Sequence, residues 1–163
     1  MRFVCEHRFR GDADAVARLL ADPEFHTGLA LADVAPPTLV AARHEAAASV
    51  LRLRYVFTGS LDPIARRLLG GHELAWIQEL SVADDASGGG LVMWAERDRR
   101  RLHGTASFTL AGEPGGGTQR RLNGEIVVAV PVIGRGAEAR LVPGILARLD
   151  GEADALNEAL GSR

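Results

Sequence analysis

Cysteine is almost absent from this sequence, and lysine is entirely absent. The single cysteine, Cys5, cannot form an intrachain disulfide and cannot by itself supply the ligands of a cysteine-based zinc site. Every one of the 19 basic residues is an arginine, so the Gly-Lys-Ser/Thr phosphate-binding loop, which needs a lysine, is excluded. The sequence is also rich in alanine and glycine, as in proteins from GC-rich genomes. We attribute the arginine bias to codon usage rather than to phosphate recognition.

Long apolar runs and a strong net charge are lacking as well. The longest clean apolar run, residues 126–133, is far shorter than the ~20 residues that span a membrane. Residues 1–10 alternate apolar and charged side chains, unlike a signal peptide. The formal net charge of −2 provides no field that attracts nucleic acid. We expect a cytoplasmic protein with no stable membrane insertion and no nucleic-acid partner; protein partners are unknown.

The chain has the composition of an ordinary globular domain. Its 163 residues are 47% hydrophobic and 25% charged, which is typical of a soluble protein with a sizeable core. No internal repeat or low-complexity segment interrupts it. We predict a single domain over residues 1–163.

Most of the chain alternates apolar and polar side chains with the two-residue period of a half-buried β-strand. In the first strand, His7 shares one face with Phe3 and Phe9. Further strands are predicted over residues 39–45, 50–58, 73–82, 91–99, 102–111 and 119–132. Short polar turns join most of these strands, which favours an antiparallel sheet of six to seven strands.

Two short helices are predicted after the first strand. Asp12 is placed to cap a helix that lasts until Asp22, and Pro23 suits the first turn of a second helix that extends to about Leu31. A further helical turn is predicted over residues 64–69, between two strands.

A long helix is predicted at the C-terminus, beginning near Ala137. Apolar residues recur there every three or four positions over about six turns. They are Leu141, Ile145, Leu149, Ala153, Leu156 and Leu160. Pro143 is expected to kink this helix or to fall in an irregular first turn.

The segment VAVPVIGRGAEA, residues 128–139, contains Gly134-x-Gly136-x-x-Ala139, the letter pattern of a dinucleotide-binding turn. Such a turn works in a βαβ unit of a parallel sheet, where helix amides face a pyrophosphate. Here one helix follows and no strand comes after it, and Pro131 suits a central parallel strand poorly. We interpret the glycines as the joint between the last strand and the C-terminal helix, and predict no cofactor.

The same joint carries a resemblance to a known family. A strand from Gly124 to Gly134 runs into Gly136-Ala-Glu and a long helix, and Asp12 to Pro23 reads Asp-x-x-x-Val-x-x-Leu-Leu-x-Asp-Pro. These features are similar to the START-like superfamily, also called SRPBCC or polyketide cyclase/dehydrase and lipid transport. The resemblance covers essentially the whole chain and fits an uncharacterised bacterial branch of domain-of-unknown-function proteins.

The resemblance implies an α+β helix-grip fold. In it, a curved antiparallel sheet wraps around the long C-terminal helix, and two short helices follow the first strand. Members include lipid carriers, hormone receptors, cyclases and chaperone partners, so the fold by itself does not specify a function.

The helix-grip fold also implies a cavity between the concave face of the sheet and the helix. Strand alternation and helix spacing assign its lining. The ligand-binding candidates are Tyr55, Phe57, Trp76, Gln78, Trp94, Phe108, Ile126, Val128, Leu141, Ile145 and Leu149. Trp76 and Trp94 are expected to pair on adjacent strands and to stack on a flat apolar ligand; for each single residue, ordinary core packing is the alternative.

Two titratable residues are candidates for catalysis. Glu96 shares the parity of Trp94, so it is a buried carboxylate with a raised pKa if that face is concave, and a solvent-facing one otherwise. His7 lies on an apolar face, where it serves as an acid/base or as a satisfied core histidine, and the other histidines are placed at loops or strand ends. No histidine pair has metal-ligand spacing, so no metal site is predicted. The arginines within residues 97–101 are expected in a solvated hairpin.

The leading hypothesis is binding, sequestration or transport of a hydrophobic small molecule (a lipid, sterol or polyketide-like compound) in the cavity, without catalysis. The sequence offers no nucleophile with a plausible base, which favours this hypothesis. One alternative is a cyclase/dehydratase-type enzyme that uses Glu96 or His7 as its acid/base. The other is an interaction module with a vestigial cavity.

Overall fold

The computed structural model describes residues 1–61, 63, 66, 72–129 and 134–162. In these residues, strands and helices follow one another in the order β1 (Arg2–Phe9), α1 (Ala13–Leu20), α2 (Pro23–Thr27), β2 (Thr38–Glu45), β3 (Ala48–Val56), β4 (Ala75–Ala83), β5 (Gly88–Ala95), β6 (Leu102–Gly112), β7 (Thr118–Val128) and α3 (Gly134–Gly161). Most of the helical turn expected over residues 64–69, and the end of the last strand expected beyond residue 129, lie outside the described residues.

All seven strands belong to one antiparallel sheet with the order β1-β7-β6-β5-β4-β3-β2. Strands β2 to β7 pair with their chain neighbours, and β1 closes the order by pairing with β7. The predicted curved antiparallel sheet and C-terminal helix are thus confirmed. Because β7 is antiparallel to both of its neighbours, the glycines of residues 134–136 do not sit in a parallel βαβ unit.

Local side chains determine where the short helices begin and end. The Asp12 carboxylate accepts a hydrogen bond of 2.7 Å from the backbone of Ala15, and that of Asp22 accepts one of 2.9 Å from Glu24, so both act as helix N-caps. Helix α2 ends at Thr27 rather than near residue 31. Gly28 caps its C-terminus, and Leu31 forms an isolated β-bridge with Val34.

Helix α3 lies across the concave face of the sheet. It begins at Gly134, three residues before the predicted start, and continues through Pro143. Its backbone packs against β1, β7 and α1. The Glu138 carboxylate accepts a 3.0 Å hydrogen bond from the backbone nitrogen of Val128, which ties the end of β7 to the helix.

The hydrophobic core lies between one end of the concave face, α1 and the C-terminal half of α3. It contains fully buried leucines, valines and phenylalanines from all three layers. Its largest members are Phe9, Val16, Leu19, Leu20, Leu80, Val82, Phe108, Leu110, Leu122, Leu149 and Leu156. Removing this apolar surface from water stabilises the fold.

The strand register divides the side chains of β3, β4 and β5 between the two faces. Directly opposite residues of an antiparallel pair lie on the same face. Tyr55 is opposite Trp76, which is opposite Ala95, so these three face inward. Trp94 is opposite Ile77 and therefore lies on the outer face. The predicted pairing of Trp76 with Trp94 on one face is wrong. Trp76 is opposite Ala95 and not Trp94, and a shift of one residue in register places a side chain on the other face of the sheet.

Candidate functional site

The interior between the sheet and α3 contains three buried ions. Among the described residues, Arg120, Arg148 and Glu152 are the buried charged side chains. Arg120 Nη1 lies 2.7 Å from Glu152 Oε1, and Arg148 Nη1 lies 3.7 Å from Glu152 Oε2. One carboxylate therefore faces two guanidinium groups, and Arg148 is the less closely compensated of the two.

The sequence analysis missed all three ions, although their positions carry a signal. Arg148 and Glu152 are four residues apart on α3, within the stripe that includes Leu149 and Leu156. Arg120 has the same strand parity as Leu122 on β7. Helix spacing and strand parity thus indicate that these three side chains point into the interior. Their charge was the one feature that favoured an exposed position.

Opposing influences act on the pKa of Glu152. Burial raises the pKa, but the charges of Arg120 and Arg148 and a hydrogen bond from Arg120 outweigh burial, so the pKa lies below its ordinary value. Glu152 is therefore ionised at neutral pH, and the three buried ions carry one net positive charge.

Arg148 reaches from α3 across the interior to β3 and β4. Its Nη2 donates a 2.9 Å hydrogen bond to Gln78 Oε1, and its guanidinium carbon lies 5.1 Å from the centre of the Tyr55 ring. Tyr55 in turn stacks on Trp76 with a centroid distance of 5.2 Å and an interplanar angle of 6°. We call these four residues, Tyr55, Trp76, Gln78 and Arg148, the donor cluster.

Each member of the donor cluster has a buried polar atom without a hydrogen-bond partner among the described residues. The four atoms are Tyr55 Oη, Trp76 Nε1, Gln78 Nε2 and Arg148 Nη1. Every one of them carries a hydrogen that it can donate. Buried polar groups in native proteins are nearly always paired, so four such groups on side chains linked through Tyr55 and Arg148 mark a candidate binding site.

The phenol of Tyr55 remains protonated in this environment. Burial raises the pKa of Tyr55 to about 12, against a smaller opposing effect of the nearby Arg148 charge. At neutral pH the hydroxyl is therefore a hydrogen-bond donor.

The inner face of the sheet is half-exposed beside the donor cluster. Trp76 is half-buried, and so are Met93 and Ala95 of β5, although all three face inward. The same holds for inner-face residues on β6 and β7 and for neighbouring residues of α3, namely Leu102, Val128, Leu141 and Ile145. This end of the interior thus keeps apolar surface accessible, in contrast with the closed core at the other end.

The eleven predicted ligand-binding residues lie in different parts of the structure. Tyr55, Trp76 and Gln78 are brought together in the donor cluster, whereas Phe108 and Leu149 belong to the closed core. Four others line the inner face or α3 near the half-exposed end: Ile126, Val128, Leu141 and Ile145. Phe57 is half-buried just beyond β3, where it bridges to Val34. Ligand contact by these residues stays a prediction.

Trp94, the remaining predicted lining residue, belongs to the outer face. The guanidinium of Arg99 lies 4.3 Å from the centre of its ring and that of Arg52 lies 5.8 Å away. These are cation–π distances, so Trp94 packs with arginines on the outside of the sheet.

Glu96 is not a buried acid. It is exposed and accepts two hydrogen bonds from Arg54, at 2.7 and 2.9 Å, on the outer face. Hydrogen bonding to Arg54 lowers the pKa of Glu96, the opposite of the raised pKa that a buried acid/base would have. Arg54 and Glu96 line a surface groove of about 380 Å³ at the end of β4 and β5, together with His72, Glu73, Leu74, Ala75, Ala95 and Arg97.

Both ring nitrogens of His7 have partners. Arg120 Nη2 is 3.2 Å from His7 Nδ1, and His7 Nε2 is 2.9 Å from Asp150 Oδ1. Because a guanidinium only donates, Nδ1 accepts and the hydrogen of the neutral ring lies on Nε2, pointing at Asp150. His7 is thus a buried histidine with both nitrogens occupied.

A second histidine is buried as well, which the sequence analysis did not predict. His26 of α2 is fully buried, and its Nε2 lies 2.7 Å from the carbonyl oxygen of Leu20. Its predicted placement at a loop or strand end was wrong, because it lies in α2, which turns this side chain toward the core beside Phe25.

No group of three or more histidine, cysteine, aspartate or glutamate side chains in the described residues is arranged to hold a metal ion. No helix in the described part of the chain is both long and apolar enough to cross a membrane.

Comparisons with known proteins agree with this architecture. The family model described as "Protein of unknown function (DUF2505)" matches residues 5–160. No curated protein matches the chain significantly.

Solved structures of similar fold cover nearly the whole chain. TTHA0849 from Thermus thermophilus is 18% identical with a TM-score of 0.64, covering 98% of this chain and 99% of that one. The ZhuI aromatase/cyclase from Streptomyces sp. R1128 is 12% identical with a TM-score of 0.63, covering 98% and 92%. A START superfamily protein from Mycobacterium smegmatis is 12% identical with a TM-score of 0.59, covering 99% and 97%.

Such low identities establish a common fold and leave function open. The family match, in contrast, extends over nearly all of the sequence. The chain therefore belongs to the DUF2505 family of proteins of unknown function and has the START-like helix-grip fold.

Proposed function

We propose that this protein binds a small molecule with a largely apolar body between the concave face of the sheet and α3, and sequesters or carries it without chemical change. The uneven packing of the inner face carries this proposal. At the core end α1 and α3 bury most of the inner-face side chains of the sheet, whereas Trp76, Met93 and Ala95 face inward and stay half-exposed. A pocket with apolar walls and a few polar groups is typical of small-molecule sites.

The fold supports the same proposal. The similar structures include one named as an aromatase/cyclase and one named as a START superfamily protein. These names favour a small-molecule ligand for this chain. At 12% sequence identity, neither the specific ligand nor the reaction of those proteins can be transferred to it.

Catalysis by the two candidate residues is not favoured. The Glu96 carboxylate is paired with Arg54 on the outer face, away from the donor cluster. Both nitrogens of His7 are engaged by Arg120 and Asp150. Neither group is free to exchange a proton with a molecule in the interior.

A role as an interaction module finds less support. The exposed large apolar side chains of the described strands are Val4 on β1, Leu39 and Val40 on β2, and Val92 on β5. Strands β1 and β2 are the two opposite edges of the sheet. The residues are thus spread over the molecule, whereas an interaction surface collects them in one patch.

The proposal is tested with the purified protein and a fluorescent fatty acid. We expect the bound probe to be displaced by apolar compounds, and mass spectrometry of an organic extract to reveal a co-purified small molecule. In a matched pair of variants, Ala95→Trp fills inner-face space beside Trp76 and should abolish probe binding. Val92→Trp adds the same ring on the outer face of the same strand and should leave it unchanged. Absence of both probe binding and extracted compound, or equal binding by the two variants, would overturn the proposal.

A further inference from the structure

We propose that the ligand carries a carboxylate, and that the donor cluster of Tyr55, Trp76, Gln78 and Arg148 binds this group while the half-exposed inner face covers the apolar body. The inference rests on the proposed function, because it names the chemical class of the ligand for the same interior. It derives from two observations, the kind of unpartnered group in the interior and the sign of the buried charge.

Each unpartnered group can donate a hydrogen bond: Trp76 Nε1, Gln78 Nε2 and Arg148 Nη1 only donate, and the Tyr55 hydroxyl can also accept. In Gln78 the unpartnered atom is the amide nitrogen. A guanidinium only donates hydrogen bonds, so the Gln78 atom 2.9 Å from Arg148 Nη2 is the oxygen, and Nε2 has no partner. Tyr55 is completely buried and Gln78 is 1% exposed, so bulk water does not supply hydrogen-bond partners for these groups. Their complement is a group that only accepts hydrogen bonds.

The number of acceptor positions fits a carboxylate. Its two oxygens offer about four lone-pair sites, and the donor cluster has four unpartnered donor atoms. On Arg148 the unpartnered nitrogen is Nη1, whereas Nη2 already donates a hydrogen bond to Gln78. The cluster therefore supplies one charged donor and three neutral ones.

The buried charge also fits a single negative charge. Arg120 and Arg148 are positive and Glu152 is the buried carboxylate among the described residues, which leaves one positive charge in excess. Glu152 is closer to Arg120, at 2.7 Å, than to Arg148, at 3.7 Å, so the excess lies on the Arg148 side. A carboxylate neutralises it, whereas a dianionic phosphate would leave a buried negative charge.

The experiment compares probes that differ only in the head group. Trp94→Phe leaves Trp76 as the single tryptophan, so its fluorescence reports binding at the donor cluster. Three probes share a twelve-carbon chain: dodecanoate, its methyl ester and dodecyl phosphate. Two others, anthracene-9-carboxylate and its methyl ester, have a flat aromatic body instead. At neutral pH we expect each acid to bind at least about tenfold more tightly than its ester, because hydrogen bonds to an ionised acceptor are the stronger ones. Dodecyl phosphate should bind more weakly than dodecanoate.

Two substitutions in this background test the assignment of the residues. Arg148→Met should abolish the preference for the acid and leave ester affinity within about twofold, since it keeps a long apolar stem and removes the charge. Tyr55→Phe keeps the stacked ring, so the protein should fold with unchanged or greater stability while its affinity for both acids falls about threefold or more.

Each outcome separates the two proposals. Acid and ester of equal affinity, or phosphate bound more tightly than carboxylate, would overturn the inference and leave the proposed function standing. An acid preference that survives both Arg148→Met and Tyr55→Phe would also overturn the inference. If none of the five probes binds, the proposed function fails, and the inference fails with it.

Discussion

Arg120 on β7 and Glu152 on α3 form an ion pair of 2.7 Å in which the two side chains are only 3% and 4% exposed. The pair connects the C-terminal helix to the strand that neighbours β1, and through Glu152 it reaches Arg148 and the donor cluster. The stability of the fold and the charge of the candidate site therefore depend on the same carboxylate.

Replacing this carboxylate should be costly. Glu152→Gln is expected to lower the free energy of unfolding by about 3–5 kcal/mol, because two guanidinium groups then remain buried without a counter-charge. Urea denaturation measures the difference. Glu158→Gln, at an exposed position of the same helix, is the matched control and should change stability by less than about 0.5 kcal/mol. Equal losses in both variants would contradict a special role for Glu152.

Acid should destabilise the protein partly through Glu152. Its pKa is lower in the folded chain than in the unfolded one, so the folded state binds fewer protons in the range between the two values. The stability that the ionised group contributes is present above the unfolded pKa of about 4.3 and is lost as the pH falls through the folded pKa. We expect the urea midpoint to fall more steeply in the wild type than in Glu152→Gln over this range. Parallel curves would show that other carboxylates cause the loss.

The phenol of Tyr55 should lose its proton at a higher pH than an exposed tyrosine does. Burial raises its pKa to about 12, compared with about 10 for an exposed tyrosine. Because Tyr55 is the single tyrosine of the sequence, the ultraviolet absorbance of phenolate reports this group alone. In strong denaturant the titration should return to about 10, which serves as the internal control. A native titration near the ordinary value would mean that the ring is exposed to water.

The two tryptophans should respond differently to iodide. Trp94 lies on the outer face beside Arg52 and Arg99, whose charges attract an anion, whereas the Trp76 nitrogen is buried against Tyr55. We expect Trp76→Phe to retain strong fluorescence quenching by iodide and Trp94→Phe to lose most of it. Similar quenching constants for the two variants would contradict the assignment of Trp94 and Trp76 to opposite faces.

Local sequence patterns predicted much of the fold. The cap at Asp12 was identified correctly because capping depends on a side chain and an amide a few residues away, whereas the cap at Asp22 was not predicted. The strands were located to within a few residues because alternation is visible in the sequence wherever one face is buried. The predicted order of a last strand followed by a long helix is confirmed, since β7 ends at Val128 and α3 begins at Gly134.

The site was predicted less well, and the reasons are particular. Trp94 and Glu96 were placed by the parity of a strand whose two faces are similarly apolar, so the sequence did not distinguish the faces. Arg120, Arg148 and Glu152 were overlooked because a buried charge is unfavourable until its partners are known. Arg148 and Glu152 are four positions apart, but Arg120 lies 32 positions from Glu152 and Gln78 lies 70 positions from Arg148.

The sequence by itself determined the order of strands and helices, their caps and the fold family, because these follow from periodicity and from contacts between near neighbours. Only the tertiary structure decided which face of β5 is concave and which polar side chains meet inside. Both depend on register between strands and on the position of α3, and these bring residues of β3, β4, β7 and α3 into one site. The donor cluster exists because of that convergence, in which Tyr55, Trp76 and Gln78 meet an arginine from the far end of the chain.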